Sequence, residues 1–222
     1  MHRRLFRLAG GALAACLVSL SAQAAGDPEA GQQIVMKGDG QGAPCVACHG
    51  LDGAGNDAGG FPRLAGMDAD YLAHQIRSYN DGSRVSPIMQ PNVTKLSEQQ
   101  IQDVAAYYAG QEVVASTQPA EPDAAEMALG RKLVERGDWS AYIPSCDSCH
   151  GPGALGVGAD FPMLAGQHPT YIAQQLRAWQ AGTRHNDPNL LMTGVAERLS
   201  DAQIDAVAAY LSRLPVTVSG GQ

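Results

Sequence analysis

Four of the chain's five cysteines fall in two copies of one pattern, Cys45-Val46-Ala47-Cys48-His49 and Cys146-Asp147-Ser148-Cys149-His150. Two thiols three positions apart stand on one turn of chain, and the histidine that follows is delivered beside them. A C-x-x-C-H turn has few uses. A disulfide within each pair suits an oxidising compartment, and a four-cysteine zinc site could draw on both pairs. Zinc ribbons, however, separate their pairs by about 15–20 residues, whereas these pairs lie in different halves of the chain. A thioredoxin-like pair needs a βαβ pattern of β-branched strands, which the sequence lacks. Covalent haem attachment uses all three residues in both copies: the thiols add to the porphyrin vinyl groups and the histidine is presented to the iron.

The surroundings of the two motifs repeat as well, with a period near 100 residues. Phe61-Pro62-Arg63-Leu64-Ala65-Gly66 returns as Phe161-Pro162-Met163-Leu164-Ala165-Gly166. Tyr71, Gln75, Arg77, Gly82 and Arg84 return as Tyr171, Gln175, Arg177, Gly182 and Arg184, and the L-S-x-x-Q-I segment at Leu96 returns at Leu199. A tandem duplication of one small domain explains this. The boundaries read as a leader at 1–24, domains at 25–115 and 123–222, and a polar, proline-containing linker at 116–122.

The leader has Arg3, Arg4 and Arg7 ahead of an apolar stretch, and Ala22-Gln23-Ala24 supplies a small-x-small cleavage site. Secretion to the periplasm is therefore expected. Leu13-Ala14-Ala15-Cys16 also has the form of a lipobox, and a protein lipidated at Cys16 would be tethered to the membrane as a peripheral protein. No later run reaches the ~20 apolar residues of a transmembrane span. The formal charge of −7 becomes more negative by three once the leader arginines are removed. An acidic protein of this kind is a poor binder of nucleic acid.

Each half reads as helices joined by glycine-rich loops, an all-α pattern. Asp27 with Pro28, and Glu121 with Pro122, are placed to open the first helix of each half, which ends at Gly38 or Gly137. A middle helix follows Asp68 in one half and Pro169 in the other. Ser97 with Gln100, and Ser200 with Gln203, have capping-box form at the head of the last helix. Gly31 and Gly130 are candidates for a close crossing of the first and last helices.

With these motifs in place, the chain resembles the di-haem class I cytochromes c, specifically the cytochrome c4 type. The likeness rests on the paired C-x-x-C-H sites, the F-P-x-L-A-G segments and the methionines ahead of each L-S-x-x-Q helix, and it spans the mature chain. It implies an all-α fold of two tandem cytochrome c-like domains, each around its own covalently bound haem c, and electron transfer with redox protein partners: a terminal oxidase, a cytochrome complex or a dehydrogenase. The repeat selects the sixth iron ligands. Met89 lies seven residues before Leu96 and Met192 seven before Leu199, whereas Met36, Met67, Met127 and Met163 have no methionine at the matching position. Met89 and Met192 are accordingly assigned opposite His49 and His150 as iron ligands, a thioether being a soft donor that raises the potential. His74, His168 and His185 fail the same test and are expected at the surface or as caps. In related cytochromes a proline carbonyl fixes the ligating histidine, which implicates Pro62 and Pro162. Arg77, Arg84, Arg177 and Arg184 are candidates to pair with haem propionates, or else to line solvated helix faces.

Two filled axial positions leave no open iron for substrate, so an electron carrier is expected rather than an enzyme. The alternative is the cytochrome subunit of a flavocytochrome sulfide dehydrogenase or another periplasmic dehydrogenase, with catalysis on a separate chain.

Overall fold

The computed structural model describes residues 25–38, 42–113 and 122–216. The leader, Cys16 and all of the linker except Pro122 lie outside them. The first half contains α1 (Pro28–Lys37), α2 (Val46–His49), α3 (Ala69–Asp81), α4 (Gln90–Val93) and α5 (Glu98–Ala109). The second contains α6 (Ala124–Arg136), α7 (Asp147–His150), α8 (Pro169–Gln180), α9 (Leu191–Ala196) and α10 (Asp201–Leu211), with short 3₁₀ turns between them. Among the described residues there are isolated β-bridges but no strand, so the fold is all-α.

Local chemistry sets the helix ends. The Asp27 carboxylate accepts from the Glu29 and Ala30 amides, Pro28 occupies the first turn, and Gly38 stops α1 at φ 70°. The Asp27 amide in turn donates to the Asp103 carboxylate of α5 at 2.8 Å, tying the two helices together at this end. The second half differs from the reading at Glu121 and Pro122. There Asp123 is the cap, accepting from the Ala125 amide, and the helix starts at Ala124, two residues later than read, because a side-chain acceptor satisfies a free N–H that proline cannot. Both capping boxes form: Ser97 and Gln100 exchange bonds of 3.3 and 2.8 Å, and Ser200 and Gln203 bonds of 3.3 and 2.9 Å.

The first and last helices of each half cross at a glycine. A Cβ on Gly31 would lie 2.0 Å from the Asp103 carbonyl oxygen, and one on Gly130 would lie 2.1 Å from that of Ala206. No side chain fits there, so the crossing depends on glycine. Around each crossing lies a hydrophobic cluster. The first gathers Val35, Leu72, Val104 and Tyr108, with Cys45 and Met89 at its border; the second gathers Leu133, Ile172, Val207 and Leu211, with Cys146 and Met192 at its border.

The halves also pack on each other. Met163 and Ala165 of the second half are buried in the first cluster, and Leu214 borders both. Beside them Val85 N–H donates to the Thr183 carbonyl and His185 N–H to the Ser83 carbonyl, each at 2.8 Å, forming an antiparallel bridge between Arg84 and Arg184.

Candidate functional site

The C-x-x-C-H turns are single helical turns. The Cys45 carbonyl accepts from the Cys48 and His49 amides at 3.2 and 2.9 Å, and the Cys146 carbonyl from Cys149 and His150 at the same two distances. Gly50 and Gly151 end the turns at φ 74° and 80°. Each turn sets its first cysteine, Cys45 or Cys146, against its own hydrophobic cluster and buries its histidine, while Cys48 is half-buried and Cys149 exposed. None of these four cysteines is in a disulfide, and each pair belongs to a different domain. That separation rules out a shared four-cysteine zinc site.

The F-P-x-L-A-G segment orients each histidine. Leu64 and Ala65 amides donate to the Gly53 carbonyl, and Leu164 and Ala165 amides to that of Ala154, which fixes the preceding proline against the C-x-x-C-H turn. His49 Nδ1 lies 3.1 Å from the Pro62 carbonyl and His150 Nδ1 2.7 Å from the Pro162 carbonyl. A carbonyl only accepts, so Nδ1 carries the proton and the Nε2 lone pair points the other way. Desolvation lowers the pKa of both rings. The proline carbonyls oppose the shift; Arg84 reinforces it at His49, and Asp147 opposes it at His150. His49 Nε2 is buried without a hydrogen-bond partner, an arrangement costly for a polar atom unless something ligates it. A neutral imidazole with a fixed tautomer and an inward lone pair is what an iron ligand requires, so these residues fit a haem.

The methionines flank the same clusters. Met89 heads α4, its amide donating to the Ser86 hydroxyl at 3.1 Å. Met192 lies in the first turn of α9, which follows two left-handed residues, Asn189 (φ 56°) and Leu190 (φ 57°). The Asp187 carboxylate holds that turn through the Thr193 amide and hydroxyl at 2.9 and 3.1 Å. Met67 and Met163 are core residues, Met127 is half-buried and Met36 is exposed.

The cytochrome c family model matches residues 28–110 and 127–215, once over each half. The chain belongs to the cytochrome c family. It is 44% identical over 204 residues to the thiosulfate dehydrogenase electron acceptor of Stutzerimonas stutzeri, covering 91% of this chain and 92% of the relative. Reduced cytochrome c4 from Pseudomonas stutzeri superposes with a TM-score of 0.76 at 37% identity, over 86% of this chain and all of that one. A thiosulfate dehydrogenase from Marichromatium purpuratum superposes with a TM-score of 0.79 at 41% identity, over 86% of this chain but only 41% of that larger protein. The protein is a di-haem cytochrome of the c4 type, carrying two covalently bound haem c groups and acting in electron transfer.

In this cytochrome the four repeat arginines divide into two kinds. Arg77 is engaged by Glu98, and Arg177 by Asp201 at 3.1 Å and Asp205 at 2.7 Å, all on partly or fully exposed helix faces. Their guanidinium groups meet protein carboxylates, the arrangement of the solvated helix face. Arg84 and Arg184 are buried at 4% exposure each. Arg84 donates to Gln75, Gln175 and the Tyr171 hydroxyl at 3.1, 2.7 and 2.6 Å. Arg184 donates to Gln175, Gln75 and the Tyr71 hydroxyl at 3.0, 3.0 and 3.4 Å. Burial alone would raise the Tyr171 pKa, but the two guanidinium groups outweigh it and lower it. Tyr79 and Trp179 lie under the arginines, with guanidinium-to-ring distances of 4.7 and 4.0 Å.

In the sequence the tyrosines and glutamines recur with the arginines, and that shared recurrence is the one signal of the network; it carries no role for them by itself. His168 stands at the cap position of α8, one of the two places expected for it, but its side chain makes no capping bond: it is buried and its Nε2 meets the Ala54 carbonyl across the interface at 2.9 Å. His74 and His185 are exposed.

Proposed function

We propose that this di-haem cytochrome takes electrons from a periplasmic thiosulfate-oxidising dehydrogenase and passes them to a respiratory partner such as a terminal oxidase. Cys45, Cys48 and His49, with Met89, hold one haem; Cys146, Cys149 and His150, with Met192, hold the other. Haem supplies a one-electron ferric/ferrous couple at each site. The chain's residues do the rest. Pro62 and Pro162 keep each histidine in the tautomer that ligates, the hydrophobic clusters exclude water, and the arginine network locks the domains so that little rearrangement accompanies electron arrival.

The observation that carries the reading is the matched pair of buried, proline-fixed histidines in two domains joined by one interface. The choice of donor is supported by the relatives, among them an electron acceptor of thiosulfate dehydrogenase. Arg84 and Arg184 are two buried cations with no carboxylate partner among the described residues. Such cations call for anions, and haem propionates at the domain interface answer that need.

Anaerobic mixing of the oxidised cytochrome with a thiosulfate dehydrogenase and thiosulfate tests the proposal. Both haems should be reduced within the enzyme's turnover time and reoxidised by oxidase-containing membranes. A cytochrome that stays oxidised there, yet is reduced by a sulfide-oxidising flavoprotein, would assign it to the other dehydrogenase class.

A further inference from the structure

Where single residues break the repeat, the two sites stop being equivalent, and one such break is buried. The F-P-x-L-A-G segment has Arg63 in the first half and Met163 in the second. Arg63 is 1% exposed. Its guanidinium donates to the Ala65 carbonyl and, across the interface, to the Ala165 carbonyl at 2.9 Å. Gln167 grips its backbone, accepting from the amide at 2.8 Å and donating to the carbonyl at 2.9 Å. Nε is buried with no hydrogen-bond partner, and among the described residues no carboxylate pairs with the side chain. Burial pushes its pKa down to about 10, which still leaves it charged at neutral pH. A guanidinium held by carbonyl dipoles alone is a buried, uncompensated cation, and its field is screened much less than that of a surface charge.

The position of that charge gives it a target. Arg63 directly follows Pro62, whose carbonyl holds His49. In the second half the residue after Pro162 is the neutral Met163; the charge whose field reaches His150 is the anion Asp147, whereas the one that reaches His49 is a second cation, Arg84. Ferrous haem carries one positive charge fewer than ferric haem, so a nearby fixed cation favours the reduced state.

We propose that Arg63 tunes the N-terminal haem: its buried, unpaired charge favours reduced iron there and raises that haem's potential over what a neutral residue would give. The consequence is a bias in where an arriving electron rests, toward the N-terminal domain. The inference rests on the di-haem carrier reading, which a haem count tests separately: fewer than two covalent haems in the wild-type chain would overturn that reading rather than this one.

The test is a redox titration of intact wild-type, Arg63→Met and Arg63→Lys proteins, following the NMR resonances of each haem assigned through contacts with its own domain. Arg63→Met should lower the N-terminal potential, moving the distribution of a single electron about tenfold toward the C-terminal haem, ~59 mV for a one-electron couple. The C-terminal potential should move much less. Arg63→Lys keeps the charge and loses the fork, so it should stay near wild type in potential even if the interface loosens. An unchanged N-terminal potential in Arg63→Met, equal shifts at both haems, or identical shifts in the Lys and Met variants would each overturn the proposal. Should Arg63→Met fail to fold, Arg63→Gln, polar but uncharged, is held to the same outcomes.

Discussion

Arg84 and Arg184 each donate to the glutamine of the opposite domain, Arg84 to Gln175 at 2.7 Å and Arg184 to Gln75 at 3.0 Å. Two buried cations therefore meet at the centre of the interface, joined through shared amide carbonyls rather than separated. Removing either one takes a donor from acceptors that the other still serves, and deletes a large packed side chain. Arg84→Ala should cost about 3 kcal/mol of stability, through the lost hydrogen bonds to Gln75, Gln175 and Tyr171 and the cavity left beside Tyr79. Arg77→Ala is the control. Its ion pair with Glu98 is exposed, so the loss should stay within about 1 kcal/mol. Denaturant unfolding of the two variants measures the difference.

The helix crossings make a second prediction. Gly31→Ala and Gly130→Ala drive a methyl into a backbone carbonyl and should each destabilise the mutated domain by about 3 kcal/mol. For a domain of this size that is a fall of about 10–20 °C in Tm. Calorimetry of the two variants should show one domain melting early and the other near its normal temperature.

The methionine assignments predict a paired result. Met89→His should lower the potential of the N-terminal haem and leave the other nearly unchanged, and Met192→His should do the reverse, because imidazole favours ferric iron more than a thioether does. Each variant should also lose about half of the thioether-to-iron charge-transfer band of the oxidised protein. A band at full strength in both variants would show that other residues ligate the iron.

Much of this architecture could be read from short stretches of sequence. The C-x-x-C-H turns, the capping boxes at Ser97 and Ser200 and the stop at Gly38 depend on residues within a few positions of one another, so spacing suffices to find them. The start of α6 at Ala124 differs from the one the proline signal predicts, because that signal and a nearby aspartate compete and the carboxylate of Asp123 decides. The interface was not legible. Arg84 meets Gln175, His168 meets Ala54 and Arg63 meets Ala165, each pair about a hundred residues apart and most of them involving polar groups that carry no hydrophobic periodicity. Arg77 and Arg84 look alike in the repeat, and only packing separates an exposed ion pair from a buried network.

The central claim is that each domain holds one haem whose iron is closed by two protein ligands. A spectroscopic redox titration of the purified protein, with carbon monoxide added at the reduced end, tests it most directly. Two covalent haems per chain, two one-electron steps and negligible carbon monoxide binding are the predicted result. One haem per chain, or rapid carbon monoxide binding at either iron, would contradict it.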